Sequence, residues 1–271
     1  PKVGGIVRLT QFILKGTLLI ETVGVILLLP VFLSDYGLNG WWMAIFHSVS
    51  AFCNAGFDIL GTAGNTFPSL MKYPENVLIN VVIMLLIIIG GIGFLTWDDI
   101  YMNKMKFKRY RMQSKIILMT TICLILLPAI FFFVYDLKDL PVGERLLAAT
   151  FQSVTTRTAG FNTINISKMS EVSKAVMILL MLIGGSPGST AGGMKTTTFT
   201  VLLLNAIATF QSQENAGAFG RRLEYHVIKN AATIAMLYFT LFFCGGIAIS
   251  IHEGLPLLDC LYEAASAVGT V

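Results

Sequence analysis

Phe151-Gln-Ser-Val-Thr-Thr-Arg-Thr-Ala-Gly-Phe-Asn-Thr163 has two echoes in the chain, Phe46-His-Ser-Val-Ser-Ala-Phe-Cys-Asn-Ala-Gly-Phe-Asp58 and Glu263-Ala-Ala-Ser-Ala-Val-Gly-Thr-Val271. Each copy carries a short, moderately apolar segment into small residues and on toward a glycine, reached at Gly56 and Gly160 and expected just beyond Val271. The period, on the order of 100 residues, is the size of a small domain and too long for a solenoid unit. Long apolar runs flank each copy. The repeating unit therefore reads as apolar helix, short re-entrant segment, apolar helix, which is the layout of a pore loop.

Composition agrees with that layout. Hydrophobic residues make up 55% of the 271 residues, charged residues 13%, and mean hydropathy is +0.75. A soluble domain carries about a quarter charged residues, so this is the composition of an integral membrane protein in a lipid bilayer. The net charge of +4 is confined to particular loops, as the positive-inside rule arranges it. It reads as topology, and no nucleic-acid partner is expected. Cys53, Cys123, Cys244 and Cys260 have no metal-ligand or redox spacing, and His47, His226 and His252 are scattered among different segments. A membrane enzyme would need a convergent set of such groups at membrane depth. Only Glu21 is a clear candidate, so an enzyme is not expected. With no initiator Met, no signal peptide and no closing helix after the third echo, the chain reads as a fragment.

Taken in order, Pro1 to Lys15 carries Lys2, Arg8 and Lys15 and leads into an apolar helix over 12–33, interrupted by Glu21. An acid at that depth is a functional candidate, but one near the basic end can reach interfacial water or pair with Lys15. Trp41 to Phe52 is apolar yet too short to span, and its two tryptophans mark entry from an interface. A spanning helix is expected over 76–97. The most basic loop follows, with Lys104, Lys106, Lys108, Arg109, Arg111 and Lys115, and belongs in the cytoplasm. Parity then decides the path of the segment 41–58. If it crossed the membrane, two basic flanks would face opposite sides, whereas a re-entrant path keeps them together.

The second unit repeats this pattern, with a helix over 116–135, a re-entrant segment over 146–163 and an apolar stretch from 172 to 210. At about 1.5 Å per residue that stretch is far longer than a hydrocarbon core of roughly 30 Å requires. Its middle, Gly184-Gly-Ser-Pro-Gly-Ser-Thr-Ala-Gly-Gly193, cannot be regular helix, so one broken helix is expected, with irregular backbone buried in protein or lining water. Arg221, Arg222 and Lys229 mark a second cytoplasmic loop. A helix over 227–251 and a third short helix over 257–267 close the chain.

The loops could carry ion chemistry. A dehydrated monovalent cation needs a ring of oxygens that replaces its water, and backbone carbonyls provide one without fixed charge. Small residues and glycine let extended chains come close enough. Cys53, Asn54, Ala55 and Gly56, then Arg157, Thr158, Ala159 and Gly160, then Gly269, Thr270 and Val271 are the candidate ion-binding segments. Each follows a short helix whose negative dipole end would face the ion. A single such turn is more simply a C-cap; three at one topological position favour the pore. Arg157 would oppose cations in the path, so its side chain is expected to point into the protein toward a carboxylate such as Glu263. Phe52, Phe57 and Phe161 are expected to pack behind the loops.

Gly184, Gly185, Ser186, Pro187, Gly188, Ser189, Thr190, Ala191, Gly192, Gly193 and Lys195 form the candidate gate. A phosphate-loop reading fails, because Met194 separates Gly193 from Lys195 and the surroundings have membrane length. Lys195 near the inner mouth would repel cations or pair with an acid, or simply snorkel to the cytoplasm. A secondary transporter with a broken-helix substrate site at the midplane remains the alternative. Inverted repeats would distinguish it, and parity here gives loops that enter from the same side.

Four stretches carry a resemblance to the Trk, Ktr and HKT potassium transporter superfamily, nearest to the membrane subunit of bacterial Ktr-type uptake systems: Ser48 to Asp58, Gln152 to Asn162, Gly184 to Lys195 and Ala265 to Val271. The resemblance implies an all-α integral membrane protein of helix, re-entrant pore loop, helix units around a pseudo-fourfold pore, with one filter glycine per unit, matched here by Gly56 and Gly160. It places 1–110 as the second unit, 111–222 as the third and 223–271 as an incomplete fourth, whose filter glycine would follow Val271, so that Gly269 is not its equivalent. It also implies potassium uptake across a bacterial cell membrane, Na⁺ as a second candidate ion, no organic cofactor, a homodimer and a cytosolic nucleotide-binding regulatory ring. A chain of these units alone is not expected to conduct.

Overall fold

The structure is a computed structural model and describes residues 3–104, 106–213 and 215–271. Lys2 of the basic N-terminal flank lies outside the described residues. Among these, helices account for nearly all regular structure: α1 (Val3–Tyr36), α2 (Gly40–Phe52), α3 (Val77–Gly91), α4 (Phe94–Asn103), α5 (Met112–Tyr135), α6 (Val142–Thr155), α7 (Glu171–Leu182), α8 (Thr196–Phe210), α9 (Tyr225–Glu253) and α10 (Leu257–Gly269). A hairpin of β1 (Gly217–Ala218) and β2 (Arg221–Arg222) joins α8 to α9.

Two helix lengths alternate. α1, α5 and α9 have 34, 24 and 29 residues, enough to cross a bilayer. α2, α6 and α10 have 13, 14 and 13. At about 1.5 Å per residue a helix of that length reaches roughly 20 Å, short of the hydrocarbon core. Each short helix packs on the long one before it, α2 on α1, α6 on α5 and α10 on α9. The helix leaving one unit also packs on the short helix of the next, α3 on α6 and α7 on α10. The long helices turn bare apolar surface outward, for example Leu18, Leu19 and Ile26 on α1 and Met236, Leu237 and Leu241 on α9. In a bilayer that surface is solvated by lipid.

The short helices start where their sequences dictate. Pro141 and Pro256 occupy the position before α6 and α10, where a missing N–H costs nothing, and Glu144 and Asp259 meet the positive end of each dipole. Lys174 of α7 holds Asp259 at 2.9 Å, fixing the entry of α10. Asn76 caps α3 by accepting from the Ile79 N–H, and Ser170 caps α7 by accepting from that of Ser173.

One helix departs from its sequence reading. The span expected over 76–97 stops at Gly91 and restarts at Phe94, and the two parts meet at a bend of 94°. Gly93 has φ +88, a conformation that only glycine adopts at little cost. Trp97 stabilises the corner by donating its indole N–H to the carbonyl of Ile89 at 3.0 Å. α4 then runs to Asn103, and the buried Asp99 accepts from the Arg111 N–H at 2.7 Å, which closes the basic loop back on α4.

The apolar stretch from 172 to 210 divides at its glycine-rich middle into α7 and α8, with residues 183–195 between them outside any helix.

Candidate functional site

The segments after α2, α6 and α10 share a backbone signature. A non-glycine residue in the left-handed region follows each short helix: Asn54 (φ 51), Thr158 (φ 66) and Thr270 (φ 59). Two residues later the chain reaches Gly56 (φ 68) and Gly160 (φ 85). This reversal turns the chain from helix into an extended segment and leaves the last carbonyls of the helix facing it. A hydroxyl from each final helical turn then ties down the outgoing strand. Ser50 donates to the carbonyl of Phe57 at 2.8 Å, Thr155 to that of Phe161 at 2.6 Å and Ser266 to that of Val271 at 2.7 Å.

The glycines stand where two such segments meet. A β-carbon added to Gly56 would overlap the Ala159 carbonyl oxygen and lie 3.0 Å from Gly160 Cα. One added to Gly160 would lie 3.0 Å from the Val271 carbonyl carbon. Gly56, Ala159, Gly160 and Val271 therefore gather backbone groups from all three units in one place. Ala159 is fully buried, whereas Cys53 and Ala55 are exposed. Gly269 closes α10 and packs against the Met181 carbonyl, so the left-handed position falls to Thr270. Gly269 is thus part of the helix and not of the segment beyond it.

The loop from Gly184 to Lys195 folds as a compact knot against these segments. Its ends pair, with the Gly184 N–H donating to Met194 at 2.8 Å, that of Gly185 to Gly192 at 3.1 Å and that of Thr196 to Gly185 at 3.0 Å. Ser186, fully buried, lies 3.2 Å from the Thr196 hydroxyl, and Ser189 donates to the Ser186 carbonyl at 2.6 Å. The knot docks on the α3–α4 corner. The Ser186 N–H donates to Gly91 at 3.0 Å and the Thr190 N–H to Gly90 at 3.3 Å, while the Phe94 N–H donates to Gly188 at 2.8 Å. On its other side Gly192 touches the Thr270 side chain, and a β-carbon on Gly193 would lie 3.2 Å from the Gly269 carbonyl oxygen.

Several expected pairings take another form. Arg157 is buried, at 5% exposure, as an inward-pointing side chain should be, yet it makes no ion pair with Glu263 among the described residues, and its Nε has no hydrogen-bond partner. Its carbonyl is the engaged group, accepting from the Asn54 carboxamide at 3.5 Å. Lys195 makes no ion pair with an acid among the described residues. Its ammonium folds back onto its own loop, donating to the Ala191 carbonyl at 2.7 Å. Glu21 makes no ion pair with Lys15 among the described residues; its carbonyl accepts from Ser48 at 2.8 Å. Phe52 and Phe161 are buried behind the loops, whereas Phe57 is 70% exposed.

Sequence reading missed the platform under the knot. Gly90-Gly-Ile-Gly93 was a visible interruption in an apolar run, and three glycines in four residues signal a close backbone approach. A β-carbon on Gly90 would overlap the Phe52 carbonyl oxygen and lie 2.8 Å from the Thr190 hydroxyl.

Membrane-length helices alternating with short ones that end in left-handed turns define an all-α, multi-pass membrane protein with re-entrant segments. Comparison with known proteins specifies the family. The chain belongs to the TrkH family of cation transport proteins, which it matches over residues 2–271. It is a protein of the cell membrane. Among its relatives are the "Potassium/sodium uptake protein NtpJ" of Enterococcus hirae, 36% identical over 100% of this chain and 60% of that protein, and the "Ktr system potassium uptake protein B" of Bacillus subtilis, 34% identical over 100% and 61%. The crystal structure of the potassium transporter TrkH from Vibrio parahaemolyticus shares the fold, with a TM-score of 0.76 at 18% identity, over 100% of this chain and 56% of that one. The chain thus spans about 60% of the length of the curated relatives it matches.

Proposed function

We propose that this chain is part of the ion-translocating subunit of a bacterial potassium uptake system, with residues 1–110, 111–222 and 223–271 forming successive units around one pore. The ion is coordinated by backbone carbonyls of the segments at Cys53 to Gly56, Arg157 to Gly160 and Thr270 to Val271. One observation carries this reading: the same left-handed turn, at Asn54, Thr158 and Thr270, follows each of three short helices, and the resulting segments bring glycine backbone together. Carbonyls arranged in this way replace a hydration shell without a fixed charge that would hold the ion. Potassium is the proposed cargo, since the relatives named above are uptake proteins for potassium, one of them for sodium as well.

The knot at Gly184 to Lys195 acts as the gate. It packs against the segments, and its shape depends on backbone hydrogen bonds to Gly90, Gly91 and Phe94, whose donors and acceptors can be exchanged for water when it moves. The ammonium of Lys195 caps the knot's own carbonyls and so reduces the positive charge it presents to a passing cation. The assembled system is proposed to be a homodimer working with a cytosolic nucleotide-binding regulatory ring; the relatives named as proteins B and D of Ktr systems support a separate partner subunit.

The test is Rb⁺ uptake into proteoliposomes by the full-length transporter with and without excess Na⁺. Selective Rb⁺ uptake that Gly160→Ser opens to Na⁺ competition supports the filter. Absence of Rb⁺ uptake by folded protein favours the midplane substrate site of a secondary transporter.

A further inference from the structure

Asn54 and Thr190 are separated by 136 residues, and their side chains meet in the interior. Asn54 is buried at 6% exposure and stands at the left-handed turn after α2. Its carboxamide has two engagements. The NH₂ group donates to the Arg157 carbonyl of the neighbouring unit at 3.5 Å, and the oxygen lies 3.2 Å from the Thr190 hydroxyl of the knot. That hydroxyl also reaches the Phe52 carbonyl at 2.9 Å, so its single proton is shared between two acceptors on the same turn. Gly90 completes the cluster from α3, lying so close that no side chain fits between Phe52, Asn54 and Thr190.

Four chain segments therefore converge on one carboxamide: two ion-binding segments, the knot and the corner that holds it. We propose that Asn54 is a positioning residue that couples ion selection to gating, holding the 53–56 and 157–160 segments in register only while Thr190 is docked. This inference rests on the filter and gate assignments made above. When the knot leaves, the Phe52 carbonyl and the Asn54 oxygen lose their shared donor. The carboxamide is then free to rotate, and the Arg157 carbonyl loses its support from the neighbouring unit. Selectivity is accordingly a property of the docked knot and weakens as flux rises. Separate filter and gate elements would give no such trade.

The experiment compares Thr190→Val, Asn54→Gly and the double variant with wild type, in the full-length transporter in proteoliposomes, reading Rb⁺ flux and the Na⁺ concentration that halves it. Thr190→Val keeps the shape of the side chain and removes the hydroxyl. Asn54→Gly removes the carboxamide and tolerates the positive φ. Each single variant is expected to raise flux and to lower the half-inhibiting Na⁺ concentration by about fivefold, the scale of one neutral hydrogen bond. The double variant should fall short of the sum of the two singles, since the Asn54–Thr190 link is lost in each. Additive effects, or a change in flux at unchanged Na⁺ sensitivity, overturn the coupling. Gly160→Ser serves as the control for the underlying assignment. If it changes Na⁺ sensitivity while the Thr190 and Asn54 variants do not, only the coupling fails. If Gly160→Ser leaves Na⁺ sensitivity unchanged, the filter assignment falls and the coupling with it.

Discussion

Gly56 and Gly160, 104 positions apart in corresponding turns of two units, lie backbone against backbone, and a β-carbon on Gly56 would sit 3.0 Å from Gly160 Cα. Both have positive φ, at +68 and +85. Each glycine is thus required twice, by its own conformation and by the space its neighbour occupies.

Replacing either with alanine should disturb both requirements. A non-glycine residue held at such a φ costs about 1–3 kcal/mol, before any clash with Ala159 at position 56 or with Val271 at position 160. Gly56→Ala and Gly160→Ala are each expected to lower the thermal unfolding midpoint and weaken discrimination between Rb⁺ and Na⁺. Gly160→Asp should abolish discrimination altogether, by adding a fixed charge where carbonyls gather. Unfolding scans and competition uptake on the same preparations read both effects. Unaltered discrimination in all three would count against the filter.

Gly90 gives a test from α3, outside the three proposed ion-binding segments but in contact with Asn54. Gly90→Ala would force the Phe52 carbonyl and the Thr190 hydroxyl away from α3. The knot should detach from its corner, giving higher Rb⁺ flux and faster proteolysis or hydrogen exchange within 184–195. A variant with wild-type flux and protection would show that the corner is not what holds the knot.

Shortening the knot acts more directly. Removing residues from Gly184 to Gly193 while leaving α7 and α8 intact takes away the constriction, and flux should rise. Uptake rates at fixed protein density measure it, and unchanged rates would mean that the constriction lies elsewhere.

On the opposite end of α1, Lys72 meets Asp35 at 2.9 Å, and Tyr73 donates to the same carboxylate at 2.8 Å. The hydrogen bond to Asp35 raises the Lys72 pKa above its ordinary value. A raised lysine pKa contributes stability that is fully present below the unfolded value and is lost as pH climbs through the folded one. Lys72 is 56% exposed, so the pair is worth less than about 1 kcal/mol. Lys72→Met should produce a small loss of thermal stability at neutral pH that vanishes in strongly alkaline buffer. A loss that persists there would show that the charge of Lys72 is not what stabilises this corner.

What could be read from sequence follows from which interactions are local. The alternation of membrane-length and short helices was legible because apolar run length is a property of consecutive residues, and the break after Leu182 was legible because no helix tolerates Gly184 to Gly193. The corner at Gly91 was not. Three glycines in an apolar run are compatible with a straight helix, and only the knot arriving from residues 184–195 makes the bend favourable. Arg157 shows the same limit from the other side. Its inward direction followed from the cost of a cation in the path, but the absence of a carboxylate partner among the described residues depends on the packing of segments distant in sequence. For Lys195 the sequence offers repulsion of cations, pairing with an acid or reach to the cytoplasm, and it does not reveal that the ammonium donates to the carbonyl of Ala191, four residues back.

The most direct measurement is Rb⁺ uptake by the full-length transporter in proteoliposomes, wild type against Gly160→Ser, across a series of Na⁺ concentrations. The account predicts wild-type uptake that Na⁺ barely inhibits and Gly160→Ser uptake that Na⁺ suppresses. Identical Na⁺ curves for two folded, active proteins would contradict the claim that the segment at 157–160 selects the ion.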